Sequence, residues 1–345
     1  MPFTFGVAER FWLDLARALN EHTPHEVELL KVPSPEGNFW EVLASYRRFF
    51  ELDLSIFDAV ISSKYPAWMV RHPNHILYMQ HKLRGLYDTY PAHLPTAWPD
   101  CRELAELGRL VAEPNPTPAE AEALFALLET WRERGGERNW FAFPGPVTRA
   151  VVHFLDRVAL RPEAIRRYGA ISRTVAERAD YFPPGVEVHV AHHPSGLAVS
   201  PRPMSAGPVL FTASRLDGPK RIGLIIRAFR RVTGPVRLEI AGSGPEEQAL
   251  LALAAGDERI RFLGRISDAE LVQAYARARA VVFTPFQEDL GLITLEAMNA
   301  ARPVITCSDS GGPLEFVEDG VTGRVVAPEP AAVAAAIESL WADRR

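Results

Sequence analysis

Short apolar runs alternate with segments of helical spacing along the second half of the chain, from Pro208 onward. Apolar runs of about 4 to 8 residues between turn signals are typical of parallel strands that are buried on both faces. The predicted strands are PVLFTAS (208–214), RLEIAG (237–242), RIRFLG (259–264), RAVVFTP (279–285) and RPVITC (302–307). The predicted helices are RIGLIIRAFRRV (221–232), PEEQALLALAA (245–255), SDAELVQAYARA (267–278) and LITLEAMNAA (292–301). This alternation predicts βαβ units and a doubly wound parallel sheet.

The first half follows a similar but less regular pattern. The spacing of apolar residues predicts helices over 9–20 and 39–50. Strand-like runs are HEVELLKV (25–32), DAVISS (58–63) and HILYMQH (75–81). Between about 91 and 143 the chain becomes proline-rich and then acidic with helical spacing, which predicts a surface helical insertion.

A proline-rich stretch divides the two halves. Six prolines lie between Tyr181 and Pro208, and proline both fixes φ and removes a hydrogen-bond donor. This stretch predicts a linker that contains one short strand, Val186–Val190. We therefore expect an α/β fold with two domains, 1–200 and 201–345, and a length of 345 residues fits two domains.

Charge and cysteine content exclude several classes of protein. The net charge is −5, which argues against a protein that coats nucleic acid or an anionic membrane. Cys101 and Cys307 are the two cysteines, and their spacing indicates neither a disulfide framework nor a zinc site. The amino terminus lacks the pattern of a signal peptide, and no run of 18 apolar residues occurs. The sequence therefore predicts a cytoplasmic protein.

Charged residues and glycines follow five of the predicted strands. Because parallel strands end at one edge of their sheet, these loops meet where open α/β sheets bind their ligands. The loops contain Arg215 and Lys220, then Gly242-Ser243-Gly244, then Gly264-Arg265, then Glu288-Asp289-Leu290-Gly291, and last Ser308–Gly312. This set predicts a site for a nucleotide diphosphate.

Two cations and two carboxylates are the chemical candidates. Arg215 and Lys220 flank one tight turn, so both can neutralise the charge that builds on a diphosphate leaving group. Glu288 precedes a predicted helix and Glu296 lies about two turns into it, where carboxylates can accept hydrogen bonds from sugar hydroxyls. Solvated surface charges, or an acid that the helix dipole favours, remain the alternative interpretation of both pairs.

The segments SRLDGPKR, AGSGPEE, RFLGRISDAELVQAYARARAVVFTPFQEDLGLITLEAMNAARPVIT and DSGGPLEFVEDGVTGRVV resemble a known domain. They are similar to the carboxyl-terminal domain of family 4 retaining glycosyltransferases of the GT-B fold. The resemblance implies that Glu288 contacts hydroxyls of the donor sugar, that Glu296 contacts the ribose, and that Arg215 and Lys220 bind the diphosphate. It implies further that residues lining the phosphate and nucleotide are Leu290, Gly291, Leu292, Asp289, Gly242, Ser243, Gly244, Gly264, Arg265 and Ile266.

The resemblance extends into the first half through shorter motifs. FGVAER (5–10), with Gly6 and Glu9, resembles the glycine-rich acceptor-side loop of the family, and YGAISRTVAER resembles its last amino-domain strand and helix. His81, at the end of HILYMQH, stands where the family has a histidine near the donor sugar. A histidine in an ordinary loop is the alternative for His81.

The sequence departs from the family at three places. The chain begins almost at the glycine-rich loop, so the first strand of the amino domain is expected to be missing. It stops after ESLWADRR, where the family continues with helices that cross back onto the amino domain. Asp289 stands where the family usually has glycine, so a different sugar preference is expected.

The resemblance implies the GT-B architecture, in which two Rossmann-like doubly wound domains face a central cleft. It also implies transfer of a hexose from a UDP- or GDP-linked sugar to a hydroxyl of a glycan, glycolipid or small acceptor, with retention at the anomeric carbon. No Asp-x-Asp pair occurs, so we expect neither metal nor cofactor. The donor base, the sugar, the acceptor and the oligomeric state stay open.

Alternatives to this interpretation were a nicotinamide-dependent dehydrogenase, a GT-B sugar epimerase, and a catalytically silent nucleotide-sugar binder or assembly protein. The dehydrogenase lacks its third glycine, because Gly242-Ser243-Gly244 does not complete the G-x-G-x-x-G pattern. The epimerase accounts less well for the pair Glu288 and Glu296. No nucleic acid partner is expected, whereas a transient contact with the inner membrane face through Arg47, Arg48, Lys82 and Arg84 stays open.

Overall fold

A computed structural model describes residues 7–99, 101–133, 139–197, 199, 201 and 207–342. Among them, one compact unit contains Glu28–Ala191, and the other contains the residues up to Val27 together with those from His192 onward. The division therefore falls inside the predicted linker. The first helix, α1 (Val7–His22), groups with the carboxyl-terminal unit, where the rings of Phe11 and His193 lie 4.3 Å apart.

The amino-terminal unit is built on a parallel sheet. Its helices are α2 (Phe39–Phe50), α3 (Ala105–Val111), α4 (Pro118–Glu133), α5 (Pro146–Leu160) and α6 (Arg173–Ala176), and its strands are β1 (Val60–Lys64), β2 (His75–His81), β3 (Arg167–Ala170) and β4 (Val188–Val190). The strands follow one another in the order β1-β2-β3-β4, and each neighbouring pair is parallel. The predicted insertion is helical, but Leu107, Leu124 and Leu128 are fully buried, so its helices form part of the core of the unit.

The strand predicted over 25–32 is wrong, because these residues adopt no regular secondary structure. The side-chain amide of Asn20 takes both backbone groups of Val27: its Nδ2 donates to the Val27 carbonyl at 2.9 Å, and its Oδ1 accepts from the Val27 N–H at 2.7 Å. A strand would use these same groups in a ladder. Alternating apolar residues alone therefore did not define a strand here.

The carboxyl-terminal unit contains the more regular sheet. Its further helices are α7 (Ile222–Phe229), α8 (Glu247–Ala254), α9 (Asp268–Arg277), α10 (Leu292–Asn299) and α11 (Pro330–Ala342), and its strands are β5 (Val209–Ala213), β6 (Arg237–Ala241), β7 (Ile260–Gly264), β8 (Ala280–Val282), β9 (Val304–Cys307) and β10 (Gly323–Val326). The strand order is β10-β9-β8-β5-β6-β7, all parallel. The order reverses at β5, which is the switch point of a Rossmann-like sheet. The predicted α/β class with two parallel-sheet domains is confirmed.

Helices cover both faces of this sheet. Leu210 and Leu238 point to the face where α7 and α11 pack, whereas Phe211 and Val281 point to the face covered by α9 and α10. Because alternate residues of a strand point to opposite faces, the inner strands β8 and β9 bury every side chain. The edge strands β7 and β10 are more exposed.

A buried carboxylate organises the core of the amino-terminal unit. Asp156 is fully buried and accepts hydrogen bonds from Tyr46 Oη at 2.9 Å, Trp68 Nε1 at 2.8 Å and Tyr87 Oη at 2.6 Å. The Lys82 ammonium lies 4.7 Å from the centroid of the Tyr87 ring. Three donors on one carboxylate offset the cost of burying its charge.

Two histidines in the same unit are held in their neutral form. His75 is 1% exposed, and its Nε2 lies 2.7 Å from Ser62 Oγ. His153 stacks on the Tyr87 ring with centroids 3.8 Å apart. Burial lowers the pKa of each histidine to about 4. Protonation of either ring is disfavoured because burial removes the water that would solvate its charge.

This burial predicts acid sensitivity. Between pH 6.5 and 4 the unfolded chain binds a proton at His75 and at His153 that the folded chain does not, so the free energy of unfolding falls as the pH falls. His153→Gln keeps a neutral partner for the Leu86 carbonyl and should reduce that loss by about 2 kcal/mol. The measurement is urea unfolding at pH 6.5 and at pH 4.5. The exposed His22→Gln variant should behave as the unmodified chain, and equal pH dependence of all three proteins would contradict the prediction.

Within the described residues, no helix combines the length and the apolar character that are needed to cross a bilayer.

Candidate active site

The loops that follow the strands of the carboxyl-terminal unit are tied to one another at one edge of the sheet. The Leu216 N–H donates to the Ser243 carbonyl at 3.0 Å, which joins the loops after β5 and β6. The Gly242 N–H donates to the Gly264 carbonyl at 2.8 Å, which joins β6 to the end of β7. The Phe286 N–H donates to the Pro219 carbonyl at 2.8 Å, which joins the loops after β5 and β8. The predicted convergence of these loops is therefore present in the main chain.

Glycine is required where the loops after β5 and β6 approach each other. Gly242 has φ +124°, and a Cβ atom there would lie 1.8 Å from the Ser214 carbonyl oxygen. A Cβ atom on Gly244 would lie 2.3 Å from the Leu216 carbonyl oxygen. No side chain fits at such distances, so both positions bring bare backbone to the edge of the sheet.

The loops after β8 and β9 are joined by a backbone bridge. The Glu288 N–H donates to the Ser310 carbonyl at 2.9 Å, and the Gly312 N–H donates to the Glu288 carbonyl at 2.8 Å. A Cβ atom on Gly311 would lie 2.6 Å from the backbone carbonyl oxygen of Glu288, and one on Gly312 would lie 2.5 Å from Leu290 Cα. The main chain of Glu288 is thus fixed from both sides.

The side chains of Lys220 and Glu288 contact each other directly through Nζ and Oε2. They are 14% and 19% exposed, so the charges are largely shielded from water yet reachable from the edge. Arg215 is 78% exposed and its guanidinium lies 3.2 Å from the Asp217 carboxylate. Lys220 therefore faces the predicted sugar-binding carboxylate, whereas Arg215 extends into solvent.

A third cation, Arg221, is part of the scaffold. Its Nη1 and Nη2 donate to the Asp309 carboxylate at 2.8 and 2.7 Å, and it also donates to the carbonyls of Thr284 and Pro285 at 2.8 and 2.6 Å. The guanidinium hydrogen bonds hold the pKa of Asp309 below its usual value. Asp309 lay in a predicted loop and Arg221 at the start of a predicted helix, but sequence reasoning did not assign the pair. Arg221 ties the three loops after β5, β8 and β9 together.

Glu296 lies on the second turn of α10, as the sequence predicts, and two side chains that sequence reasoning missed hold its carboxylate. Tyr275 Oη donates to Oε2 at 2.7 Å, and Ser195 Oγ donates to Oε1 at 2.9 Å. Tyr275 belongs to α9 and Ser195 to the linker. Neither carries a local motif that points to Glu296, because the contacts join residues 21 and 101 positions away.

The other predicted donor-binding residues at this edge differ in their exposure to solvent. Gly291 precedes α10 with φ +84°, and a Cβ atom there would meet Pro313 at 2.8 Å. Leu290 is buried, so its backbone and not its side chain faces the edge. Gly264 ends β7, and Arg265 is exposed. The other residues, each partly buried, are Ser243, Ile266, Asp289 and Leu292.

Three predicted residues lie in the first half of the sequence. His81 ends β2 of the amino-terminal unit, and its Nδ1 donates to the Lys82 carbonyl at 2.8 Å. Glu9 lies in α1, and Gly6 lies outside the described residues. Their predicted roles stay predictions. In the described ranges, no three His, Cys, Asp or Glu side chains are grouped as metal ligands.

Residues 207–343, which are most of the carboxyl-terminal domain, match the model of the family described as Glycosyl transferases group 1. The resemblance stated from the sequence is confirmed. The match covers β5 to α11, including the Lys220–Glu288 pair and the glycine loops.

Known proteins similar to this chain are glycosyltransferases. Glycogen synthase of Mycobacterium tuberculosis is 33% identical over 179 residues, which cover 48% of this chain and 43% of that protein. The D-inositol 3-phosphate glycosyltransferase of Mycolicibacterium smegmatis is 30% identical over 200 residues, which cover 53% and 45%. HepE of Anabaena, solved with UDP and glucose, is 22% identical with a TM-score of 0.46 over 56% of this chain and 57% of that one. The chain thus spans less than half the length of the two curated relatives it matches.

The close approach at Gly242 predicts an unequal response to alanine. The methyl group of Gly242→Ala would overlap the Ser214 carbonyl oxygen, so the backbone must shift. The free energy of unfolding should therefore fall by about 3 kcal/mol or more. Gly256 has φ +85° but no atom within 4 Å of its Cβ position, so Gly256→Ala should cost only the conformational strain of about 1 kcal/mol. Urea unfolding of both variants checks the difference. Equal losses would show that the close approach at Gly242 is absent.

Proposed function

We propose that the chain is a glycosyltransferase that moves a hexose from a UDP- or GDP-linked sugar to a hydroxyl of a glycan, a glycolipid or a small acceptor. The observation that carries the proposal is the contact of Lys220 with Glu288 at the sheet edge where α10 begins. The family of the carboxyl-terminal domain supports the reaction class. A cation beside a carboxylate suits a ligand that joins a diphosphate to a sugar.

Lys220 is assigned to the departing diphosphate. Negative charge builds on this group as the bond to the sugar breaks, and a shielded ammonium stabilises it more strongly than one in water. Arg215 is exposed and its long side chain can add a second cation. The backbone N–H groups at the beginning of α10, next to Gly291, can donate to the same phosphates.

Glu288 is assigned to the hydroxyls of the donor sugar and Glu296 to the ribose. Carboxylates accept hydrogen bonds from hydroxyl donors, and the backbone hydrogen bonds to Ser310 and Gly312 fix the position of Glu288. The bare backbone at Gly242 and Gly244, with the turn from Gly264 to Ile266, is proposed to line the nucleotide. His81 is proposed to act near the sugar, and Gly6 and Glu9 on the acceptor side.

The finer features of the reaction belong to the same proposal. Retention of configuration requires that the acceptor hydroxyl attack from the face that the diphosphate leaves, and it is tested by the anomeric configuration of the product. Metal and cofactor independence follow from assigning Lys220 and the α10 terminus to the diphosphate; turnover should then persist in a chelator. A cytoplasmic location with transient contact at the inner membrane face completes the proposal.

The first experiment is binding. The melting temperature of the purified chain is measured with UDP, GDP and ADP, because a ligand that binds only the folded state raises it by mass action. A shift with one of these nucleotides, lost in Lys220→Ala, supports the site. No shift with any of them in a folded chain contradicts it.

Turnover of the donor tests the assignment of Lys220. Lys220→Ala should lower the rate at which nucleoside diphosphate is released from the sugar nucleotide by about 100-fold, because one cation of the leaving-group site is lost. The exposed Lys31→Ala variant removes the same charge from the other unit and should leave the rate unchanged. Release from UDP-hexoses and GDP-hexoses is followed in parallel.

Two outcomes would contradict the transferase assignment. Turnover of Lys220→Ala near that of the unmodified chain would remove Lys220 from the reaction. Tight binding of a nucleotide sugar with no release and no transfer would identify the silent binder instead.

A further inference from the structure

Both oxygens of the Glu296 carboxylate receive a hydrogen bond from a different part of the carboxyl-terminal unit. Tyr275 Oη reaches Oε2 from α9, and Ser195 Oγ reaches Oε1 from the linker. The terminal torsion of a glutamate is otherwise broad and nearly two-fold. Two donors on opposite oxygens therefore select one plane for the carboxylate.

The donor on the α9 side is held rigidly. Tyr275 is fully buried, and its ring meets the Phe211 ring edge to face with centroids 5.3 Å apart. Arg302, 2% exposed, donates to the Tyr275 carbonyl at 3.0 Å and to the Ala276 carbonyl at 2.8 Å. Ring and backbone are both fixed, so the hydroxyl is delivered to one position.

This hydroxyl remains a donor over the whole working pH range. Burial first, and then the negative charge of Glu296, raise the pKa of Tyr275 well above its usual value. The carboxylate therefore always accepts from Tyr275. A ligand that approaches Glu296 meets an acceptor whose direction is already set.

The donor on the linker side is oriented as well. The Leu197 N–H donates to Ser195 Oγ at 3.2 Å, which directs the hydroxyl proton of Ser195 toward Glu296. Leu197 is 8% exposed and packs in the core cluster beneath α9 and α10. The segment that carries Ser195 is thus anchored to the carboxyl-terminal unit.

We propose that Tyr275 and Ser195 are positioning residues that orient the Glu296 carboxylate toward the ribose diol and so make the chain prefer ribonucleotides over nucleotides without ribose hydroxyls. The inference rests on the proposed function, in which Glu296 takes the ribose. A carboxylate accepts up to about four hydrogen bonds, so a ligand diol can join the two protein donors. Pre-orientation matters because the carboxylate then loses no further freedom when the diol binds.

The test is a comparison of two ligands. Isothermal titration measures the affinity for the nucleoside diphosphate that the unmodified chain binds, among UDP, GDP and ADP, and for its 2′,3′-dideoxy form. Tyr275→Phe removes only the hydroxyl and should lower the ribo-to-dideoxy affinity ratio about tenfold, as expected for one hydrogen bond to a charged group. Ser195→Ala should lower the ratio in the same direction, by about threefold, since its hydroxyl is less confined.

Two controls separate positioning from a general loss of structure. Tyr168→Phe also removes one buried tyrosine hydroxyl, which donates to the Leu160 carbonyl at 2.8 Å in the other unit, and should leave the ratio unchanged. Glu296→Gln should lower the ratio by itself, and Tyr275→Phe in that background should lower it no further, because Tyr275 acts through Glu296.

The outcomes are distinct. A ratio in Tyr275→Phe equal to that of the unmodified chain overturns the inference, as does an equal loss of affinity for both ligands or a further fall in the Glu296→Gln background. If the unmodified chain binds a nucleotide but does not distinguish the two forms, the inference fails together with the assignment of Glu296 to the ribose, while the proposed sugar transfer stands. If it binds none of the three nucleotides, the proposed function fails and the inference with it.

Discussion

The candidate site depends on the two hydrogen bonds by which the backbone of Glu288 bridges Ser310 and Gly312. The loops after β8 and β9 are held main chain to main chain, and this close approach is possible because Gly311 and Gly312 carry no side chain. The bridge determines where the Glu288 carboxylate stands and where α10 begins. The backbone alone therefore sets the positions of these two loops.

The three cations at this edge differ in their contacts. Arg221 donates hydrogen bonds to Asp309 and to two backbone carbonyls, so its role is structural. Lys220 is balanced by Glu288, and Arg215 extends into water. An anion in the proposed site would compete with the Glu288 carboxylate for Lys220 and with the Asp217 carboxylate for Arg215. Each of the three cations thus contacts a carboxylate, which lowers the cost of holding the charges near one another.

Sequence reasoning was accurate where one residue pattern determines one structure. Strand ends and glycine loops were located because parallel sheets collect them at one edge. It failed over 25–32, where Asn20 takes the backbone groups that a strand would need. It also missed Tyr275 and Ser195, since their role exists only after folding brings distant elements together. Side-chain partners of a predicted carboxylate leave no periodic signal.

The Asp156 cluster in the amino-terminal unit has a consequence for sequence divergence. Removing Asp156 leaves three buried donors without their acceptor. Removing Tyr46, Trp68 or Tyr87 takes one hydrogen bond away from the buried Asp156 carboxylate. Each single step is thus unfavourable, although a fully apolar replacement of similar volume can be as stable as the original cluster. Any path of single substitutions from this cluster to an apolar core therefore passes through less stable proteins. Neutral drift proceeds one residue at a time, so it should leave these four positions unaltered.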